Sequence, residues 1–270
     1  MKRRERIRKN FRIFWMYFKQ FWKTRLIYKT DFTLGFVGQL INLSISLAFL
    51  TLIFTQVESL QGWTFNELLF LAGLGGMIMN FHHILMLNVS HLGEDFIVTG
   101  KMDRLLVRPL DTLFQVYLDD FADQDLSKLI ANTALLVYAA GQIGVSLLSP
   151  ENLFYLLAAL FSGTLFFGSA YLFFASISFW MAKADSIRLL LYRLSDFRRY
   201  PIEIFSNPVK LVLMTAMPVA FAAFLPATFL LDKAGYGLWP FTSLLLGPVF
   251  YLVAYRFWKY GLSRYSSTGS

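Results

Sequence analysis

The stretch FTLGFVGQLINLSISLAFLTLIF, which spans residues 32–54, contains no charged side chain. An α-helix rises 1.5 Å per residue, so a helix of this length can cross a hydrocarbon core of about 30 Å. The stretch is longer than the hydrophobic region of a secretory signal, and no convincing pair of small residues for cleavage follows it. The sequence therefore predicts an uncleaved transmembrane helix at residues 32–54.

Five further apolar stretches are long enough to span a bilayer. They are Leu68–Asn88, Leu129–Leu148, Leu153–Met181, Val209–Leu231 and Leu238–Trp258. The whole chain is 56% hydrophobic and 16% charged, with a mean hydropathy of +0.52, which is far more apolar than an ordinary soluble domain. We therefore expect an all-α polytopic membrane protein with six transmembrane helices, the fifth of which is interrupted by Pro218 and Pro226.

The basic residues fall on one side of this topology. They lie before the first span, between the second and third spans, between the fourth and fifth spans, and after Tyr255. The loops on the opposite side contain only Lys233. Because basic loops remain in the cytoplasm, we expect both termini to be cytoplasmic. This topology also explains the net charge of +8 without a nucleic-acid partner.

The N-terminal residues 1–30 are basic but carry apolar side chains at helical spacing. The apolar positions are Ile7, Phe11, Phe14, Trp15, Phe18, Phe21 and Trp22. This pattern predicts an amphipathic helix lying in the membrane interface. A solvated basic tail is the alternative, and nucleic-acid binding is less consistent with the aromatic residues. We divide the chain into this helix at 1–30, a six-span membrane domain at 31–265 and a short cytoplasmic tail at 266–270.

The sequence contains no motif for covalent chemistry. A phosphate-binding P-loop requires G-x-x-x-x-G-K-[ST], but Gly100-Lys101 is followed by Met102, and Asp95 occupies the position of the first glycine. Hydrolase and zinc-protease motifs are absent as well. The chain has no Cys, and its three histidines, His82, His83 and His91, are too few to indicate a metalloenzyme. We predict no catalytic residue and no metal site.

Two predicted spans have a face of small and polar residues. The second carries Gly73, Gly76, Asn80, His83 and His91 on one face, and the first carries Gly35, Gly38, Asn42 and Ser46. Close packing of helices explains such faces. A substrate route lined by Asn42, Asn80 and His83 is the functional alternative, and a metal site is a more remote one. The centres of the predicted spans lack Asp, Glu, Lys and Arg, which argues against an ion-coupled carrier.

Two predicted cytoplasmic segments look too structured for simple connectors. The first, at 91–127, mixes charged and apolar residues, which suits a helix that offers charges to a soluble partner; a solvated connector is the alternative. The second, at 182–208, contains Arg198, Arg199, Tyr200 and Pro201. Pro201 suits the first turn of a new helix.

This architecture resembles the membrane subunits of type-2 ABC exporters, over essentially the whole chain. The loop GKMDRLLVRPL at 100–110 and the later Arg199-Tyr200-Pro201 are similar to a prokaryotic branch of small ABC permeases. The resemblance implies location in a prokaryotic cytoplasmic (inner) membrane. It also implies a complex of two permease chains, identical or related, with two separate ATPase subunits that bind ATP and Mg. The chain itself would bind no cofactor.

The resemblance also suggests roles for particular residues. The 91–127 segment would contain the helix that couples to the ATPase, with Asp95, Asp103, Arg104, Arg108 and Pro109 near the contact. Arg198, Arg199, Tyr200 and Pro201 would form a second cytoplasmic contact. In this family the fifth span leads into re-entrant helices, which here would occupy 218–231. Pro218, Phe221, Pro226 and Phe229 would then form an outer gate.

From these features we expect an ATP-driven exporter permease that is not itself an enzyme. The outer loop after the fifth span is very short, which favours a small amphiphilic or toxic compound or a lipid as cargo over a long polymer. An ion-coupled secondary transporter is the first alternative. A membrane-embedded enzyme that uses His83 or His91 is the second.

Overall fold

A computed structural model describes residue 8, residues 11–20, residue 23 and residues 29–119, 124–181, 185–214 and 219–267. These residues form helices and turns, and the described part of the chain contains one isolated β-bridge, between Leu60 and Trp63, but no strand. The predicted all-α class is therefore confirmed. Of the predicted N-terminal helix, residues 11–20 are helical, whereas Ile7, Phe21 and Trp22 lie outside the described residues.

The helices are numbered in chain order. They are α1 (11–20), α2 (Lys29–Phe54), α3 (Phe65–Met86), α4 (Lys101–Leu106), α5 (Thr112–Leu118), α6 (Gln124–Ile143), α7 (Pro150–Ser176), α8 (Asp185–Ser195), α9 (Asn207–Met214), α10 (Phe224–Leu230) and α11 (Trp239–Ser263). Capping side chains determine where two of these helices begin. Thr64 and Glu67 form a reciprocal capping box at α3, and Ser149 caps α7 just before Pro150 at its first turn.

Four helical stretches are long and apolar enough to cross a membrane. They are Thr33–Phe54, Phe65–Ile97, Pro150–Phe179 and Trp239–Ser263. The pair Asn207–Met214 and Val219–Leu230 is a fifth candidate, but a bend of 66° breaks it between the two helices. The third predicted span corresponds to α6, which is not among these candidates since polar residues such as Asp125, Lys128 and Asn132 dilute its apolar character. The chain is thus a polytopic membrane protein, and the count of six spans stays a prediction.

The centre of the molecule is α3, which packs against α6 and α7, while α7 packs along α11. Glycines permit the closest approaches. A Cβ atom at Gly73 would lie 2.8 Å from the backbone nitrogen of Leu136, and one at Gly76 would lie 2.5 Å from the Asn132 amide oxygen. The small face of the second span therefore serves helix packing, at least at these two glycines.

Helix α2 is far less enclosed than the other spans. It contacts mainly α6, and its apolar side chains Leu34, Ile45 and Phe49 are exposed in the isolated chain. Its two glycines do not pack against another helix of the described chain, because a Cβ atom at Gly35 or Gly38 would meet nothing within 4 Å there. This surface faces lipid or another chain in the membrane.

The segment that follows α7 runs along the length of the Phe65–Ile97 span. At one end of that span, Arg188 lies 3.9 Å from Glu94. At the other end, the Trp63 side chain lies beside the Glu203 carboxyl. Residues 185–204 therefore extend from one end of the span to the other.

The middle of this segment packs against the middle of α3. The Arg198 guanidinium donates from Nε to the Gly75 carbonyl oxygen over 3.1 Å. The carbonyl oxygens of Gly75 and Ser195 thus accept the hydrogen bonds of a side chain that the sequence places in a basic loop. Whether 182–208 remains on the cytoplasmic side stays a prediction.

Candidate functional site

The continuation of α3 leads into a compact segment at one end of the molecule. We call residues 98–111 of this segment, which include α4 and the reversals of the chain on either side of it, the double turn. After α3, residues Leu87–His91 form 3₁₀ turns and Leu92–Ile97 a π turn. Gly100 then reverses the chain with a φ of 66°, a left-handed conformation that glycine adopts without strain. It is followed directly by α4. Asp111, whose carboxylate accepts from the Phe114 amide, caps the next helix, α5.

This double turn presents an exposed surface that mixes apolar and cationic side chains. We call it the 98–108 surface and define it as Val98, Arg104, Leu106, Val107 and Arg108. Val107 is 84% exposed, and the four others are exposed as well. Between them, Ile97, Met102 and Leu105 point into the core. The surface is therefore the outer side of a folded element and not a loose connector.

Several contacts hold the 98–108 surface in place. The Lys101 ammonium forms an ion pair with Asp119 and lies 4.7 Å from the Phe96 ring centre. The buried Gln115 amide donates to the carbonyl oxygens of Leu105 and Leu110, over 3.0 and 3.3 Å. These contacts connect α4 to α5 and hold the 98–108 surface in a fixed position relative to both helices.

The C-terminal tail adds a further restraint. Ser267 donates to the Asp103 carboxylate over 2.6 Å, and Tyr255 of α11 donates to Asp111 over 3.4 Å. Partial burial and the nearby Asp103 carboxylate raise the pKa of Tyr265, so this tyrosine stays neutral beside Asp103. The restraint connects the end of α11 to α4.

The structure separates the predicted coupling residues into two groups. Arg104, Arg108 and Pro109 are exposed on the double turn, as is Asp95 on the π turn. Asp103 instead is half-buried and bonded to the tail. Sequence reasoning missed Val98, Leu106 and Val107. The only available signal was the alternation of apolar and charged residues, which does not reveal which apolar residues point outward.

The three predicted pathway residues do not share one environment. Asn42 is exposed on α2, and its amide donates to Gly38 of the same helix over 3.1 Å. Asn80 is buried, and its amide nitrogen has no hydrogen-bond partner within the described chain. His83 is buried too and lies 3.2 Å from the Asp125 carboxylate through Nδ1. Whether they line a route stays a prediction.

Three of the four predicted gate residues lie among aromatic rings near α10 and α11. Phe229 stacks on Tyr155 at 4.0 Å between ring centres, and Phe221 contacts Trp239 edge to face at 6.1 Å. Pro226 is buried within α10. Pro218 lies outside the described residues. This aromatic layer is densely packed, and its role as a gate stays a prediction.

The residues expected to form a second cytoplasmic contact are placed differently from one another. Arg199 and Tyr200 are exposed, and Arg199 pairs with Asp196 at 3.5 Å. Pro201 is buried, and Arg198 is only 5% exposed, opposite the middle of α3. A basic side chain therefore lies buried against the middle of α3.

Comparison with known proteins identifies the family. Residues 40–269 match the family described as ABC-2 family transporter protein. No curated protein matches the chain. The solved structures include no match either. The family match covers most of the chain, including every long apolar helix except the start of α2 and also the double turn. The chain belongs to the ABC-2 family of transporter proteins and is a permease of an ABC transporter.

Proposed function

We propose that this chain is the membrane-spanning permease subunit of an ATP-driven exporter in a prokaryotic cytoplasmic membrane. Two such chains, identical or related, would form the translocation pathway. Two separate ATPase subunits would bind ATP and Mg and dock on the cytoplasmic side. The cargo would be a small amphiphilic or toxic compound or a lipid, in keeping with the short segment between α10 and α11.

The observation that carries this proposal is the 98–108 surface. Exposed Leu106 and Val107 can fill an apolar cleft, while Arg104 and Arg108 beside them can pair with carboxylates at its rim. The contacts of Lys101, Gln115 and the C-terminal tail make the surface stiff. An ATPase that moves this surface would therefore also move α3 and α11.

In the proposed cycle, ATP binding favours one arrangement of the two permease chains, and hydrolysis restores the other. The nucleotide influences the permease only because the nucleotide-bound ATPase would contact the two arrangements of the permease differently. This chain contributes no covalent step. Its own residues transmit the movement along the Phe65–Ile97 span, because that span continues directly into the double turn.

Val107→Asp is expected to reduce the amount of ATPase that copurifies with the tagged permease by at least about tenfold, because a buried, unpaired carboxylate is costly in an apolar contact. The ATPase would be a P-loop protein from a gene that neighbours the permease gene, and the measurement is its stoichiometry after detergent purification. Leu148→Asp is the matched control, since Leu148 is 83% exposed in the turn between α6 and α7. Full retention of the ATPase by the Val107→Asp permease would contradict the docking proposal.

The proposed orientation can be tested by single cysteines, since the chain has none. In intact spheroplasts, a membrane-impermeant maleimide is expected to label Leu148→Cys and Ile204→Cys but not Val107→Cys. Ile204 is included because residues 185–204 run to the Trp63 end of α3. Labelling of Val107→Cys without labelling of Leu148→Cys and Ile204→Cys would show that the orientation is the opposite of the one proposed. Protection of Ile204→Cys from the reagent, with labelling after lysis, would place 182–208 in the cytoplasm, as the sequence predicts.

A further inference from the structure

The interface between α3, α7 and residues 185–199 buries polar groups that the proposed coupling role does not use. Arg198 lies at one end of this interface, bonded to Gly75 and to the Ser195 carbonyl oxygen at 2.6 Å. Its nearest carboxylate, Asp196, is 3.4 Å away and half exposed. The guanidinium therefore carries a buried positive charge that is only partly balanced.

Two aromatic side chains continue the interface toward the double turn. His82 of α3 is fully buried, and its ring stacks on Tyr171 of α7 with 4.9 Å between ring centres. In the described structure, the two ring nitrogens of His82 have no hydrogen-bond partner. The Tyr171 hydroxyl has none either. The charges that act on the Tyr171 hydroxyl come from Arg198, Arg188 and Asp196, with Tyr192 also in range.

Unpartnered buried polar groups are costly, because each has lost its hydrogen bonds to water without gaining others. His82 and Tyr171 lie close together, so the cost is concentrated at one place in an otherwise apolar core that includes Phe167. A phenylalanine could supply the same ring stacking at either position without an unpaired polar atom. Groups retained at such a cost are typical of functional sites.

The unpartnered atoms are mainly hydrogen-bond donors. The Tyr171 hydroxyl and one His82 nitrogen can donate, and the Arg188 Nε–H is also buried without a partner among the described residues. Arg188 has Glu94 as its carboxylate neighbour, at 3.9 Å and half exposed. A ligand that satisfies these donors must be rich in acceptor oxygens, and the Arg198 and Arg188 cations favour one with negative charge.

We infer that His82 and Tyr171 bind the oxyanion headgroup of an amphiphile, a phosphate or a carboxylate. The two side chains donate hydrogen bonds to its oxygens, while the guanidiniums of Arg198 and Arg188, on either side, attract its charge at longer range. The inference rests on the proposed function in that the amphiphile is taken to be cargo. The headgroup of a resident anionic lipid has the same chemistry.

The test uses the full-length chain without ATPase, so that its outcome is independent of the docking experiment. The probe is dodecyl phosphate, added to protein in a neutral detergent, and dodecyltrimethylammonium is the cationic control of equal chain length. We expect dodecyl phosphate alone to raise the Tm. His82→Phe and Tyr171→Phe are each expected to weaken the apparent affinity for dodecyl phosphate about tenfold while leaving the probe-free Tm unchanged or higher.

Tyr155→Phe is the matched control, because the Tyr155 hydroxyl is buried but satisfied, donating to the Pro240 carbonyl oxygen over 2.7 Å. It is expected to lower the probe-free Tm and to leave the affinity for dodecyl phosphate unchanged. The inference is overturned if dodecyl phosphate does not stabilise the unmodified chain or if both interface variants bind it normally. It is also overturned if His82→Phe and Tyr171→Phe lower the probe-free Tm as Tyr155→Phe does.

Nanodiscs separate the two sources of the headgroup. If replacing phosphatidylcholine by phosphatidylglycerol raises the Tm, and His82→Phe abolishes that rise, a resident lipid occupies the interface. If the lipid exchange has no effect and dodecyl phosphate still raises the Tm, the interface takes an added, cargo-like amphiphile. Both results support an oxyanion site at His82 and Tyr171.

Discussion

Gly247→Ala is expected to prevent the chain from reaching its stable fold. A Cβ atom at Gly247 would overlap the Ser162 carbonyl oxygen and lie 2.6 Å from its carbonyl carbon. The obstacle is backbone of α7, which cannot move aside as the end of a flexible side chain can. Overpacking in a core costs about 1–3 kcal/mol or more, and the contact here is between the two helices with the longest mutual interface.

The expected readout is loss of monodisperse protein in detergent, or a fall in Tm of at least about 10 °C if protein is recovered. The Gly247 amide also donates to the Ser162 hydroxyl over 3.2 Å, so separating α7 from α11 would lose this bond as well. Gly141→Ala is the control, because a Cβ atom there meets nothing within 4 Å. Equal Tm values for the two variants would show that α7 and α11 do not pack this closely.

Asp125→Ala is expected to destabilise the chain by about 1–3 kcal/mol, because the buried His83 side chain loses its hydrogen-bond partner. The Asp125 carboxylate lies 3.2 Å from His83 Nδ1 and 3.1 Å from Lys128 Nζ. Its loss leaves His83 buried without its acceptor and Lys128 without its anion. The pair also connects α3 to the first turn of α6, so the measurement is the midpoint of unfolding in mixed detergent micelles.

Asp119→Ala is the matched control for Asp125→Ala. The Asp119 carboxylate pairs with Lys101, and that pair is about one-third exposed. Pairs of this kind contribute about 0–1 kcal/mol. A double variant, His83→Ala with Asp125→Ala, is expected to cost less than the two single changes added together. Similar effects of Asp125→Ala and Asp119→Ala would mean that the His83 pair is open to water.

The long spans could be predicted from the sequence because length and lack of charge decide them locally. Residues 32–54, and the apolar stretches that begin at Leu68, Leu153 and Leu238, coincide with candidate membrane helices of the structure to within one or two residues at the ends that overrun. Length and lack of charge identify α6 less clearly as a span, since this helix carries polar residues that face other helices. Asn132 beside Gly76 is an example.

The site was harder to predict, since its features depend on contacts between distant parts of the chain. The resemblance to type-2 exporters pointed to the region of Arg104 and Arg108, but the outward direction of Val107 depends on the reversal at Gly100. Arg198 looked like one member of a basic loop. Its burial depends on the carbonyl oxygen of Gly75, 123 positions away in sequence, which no local pattern contains.

The π turn at Leu92–Ile97 lies between α3 and α4, so a change in its geometry would rotate one helix relative to the other. Its hydrogen bonds join residues five apart, whereas those of an α-helix join residues four apart. Conversion of this turn to α-helical geometry shifts the register by one residue, which corresponds to about 100° of rotation and 1.5 Å of advance. A push on the double turn can thus be delivered to His82 and His83 as a twist about the helix axis.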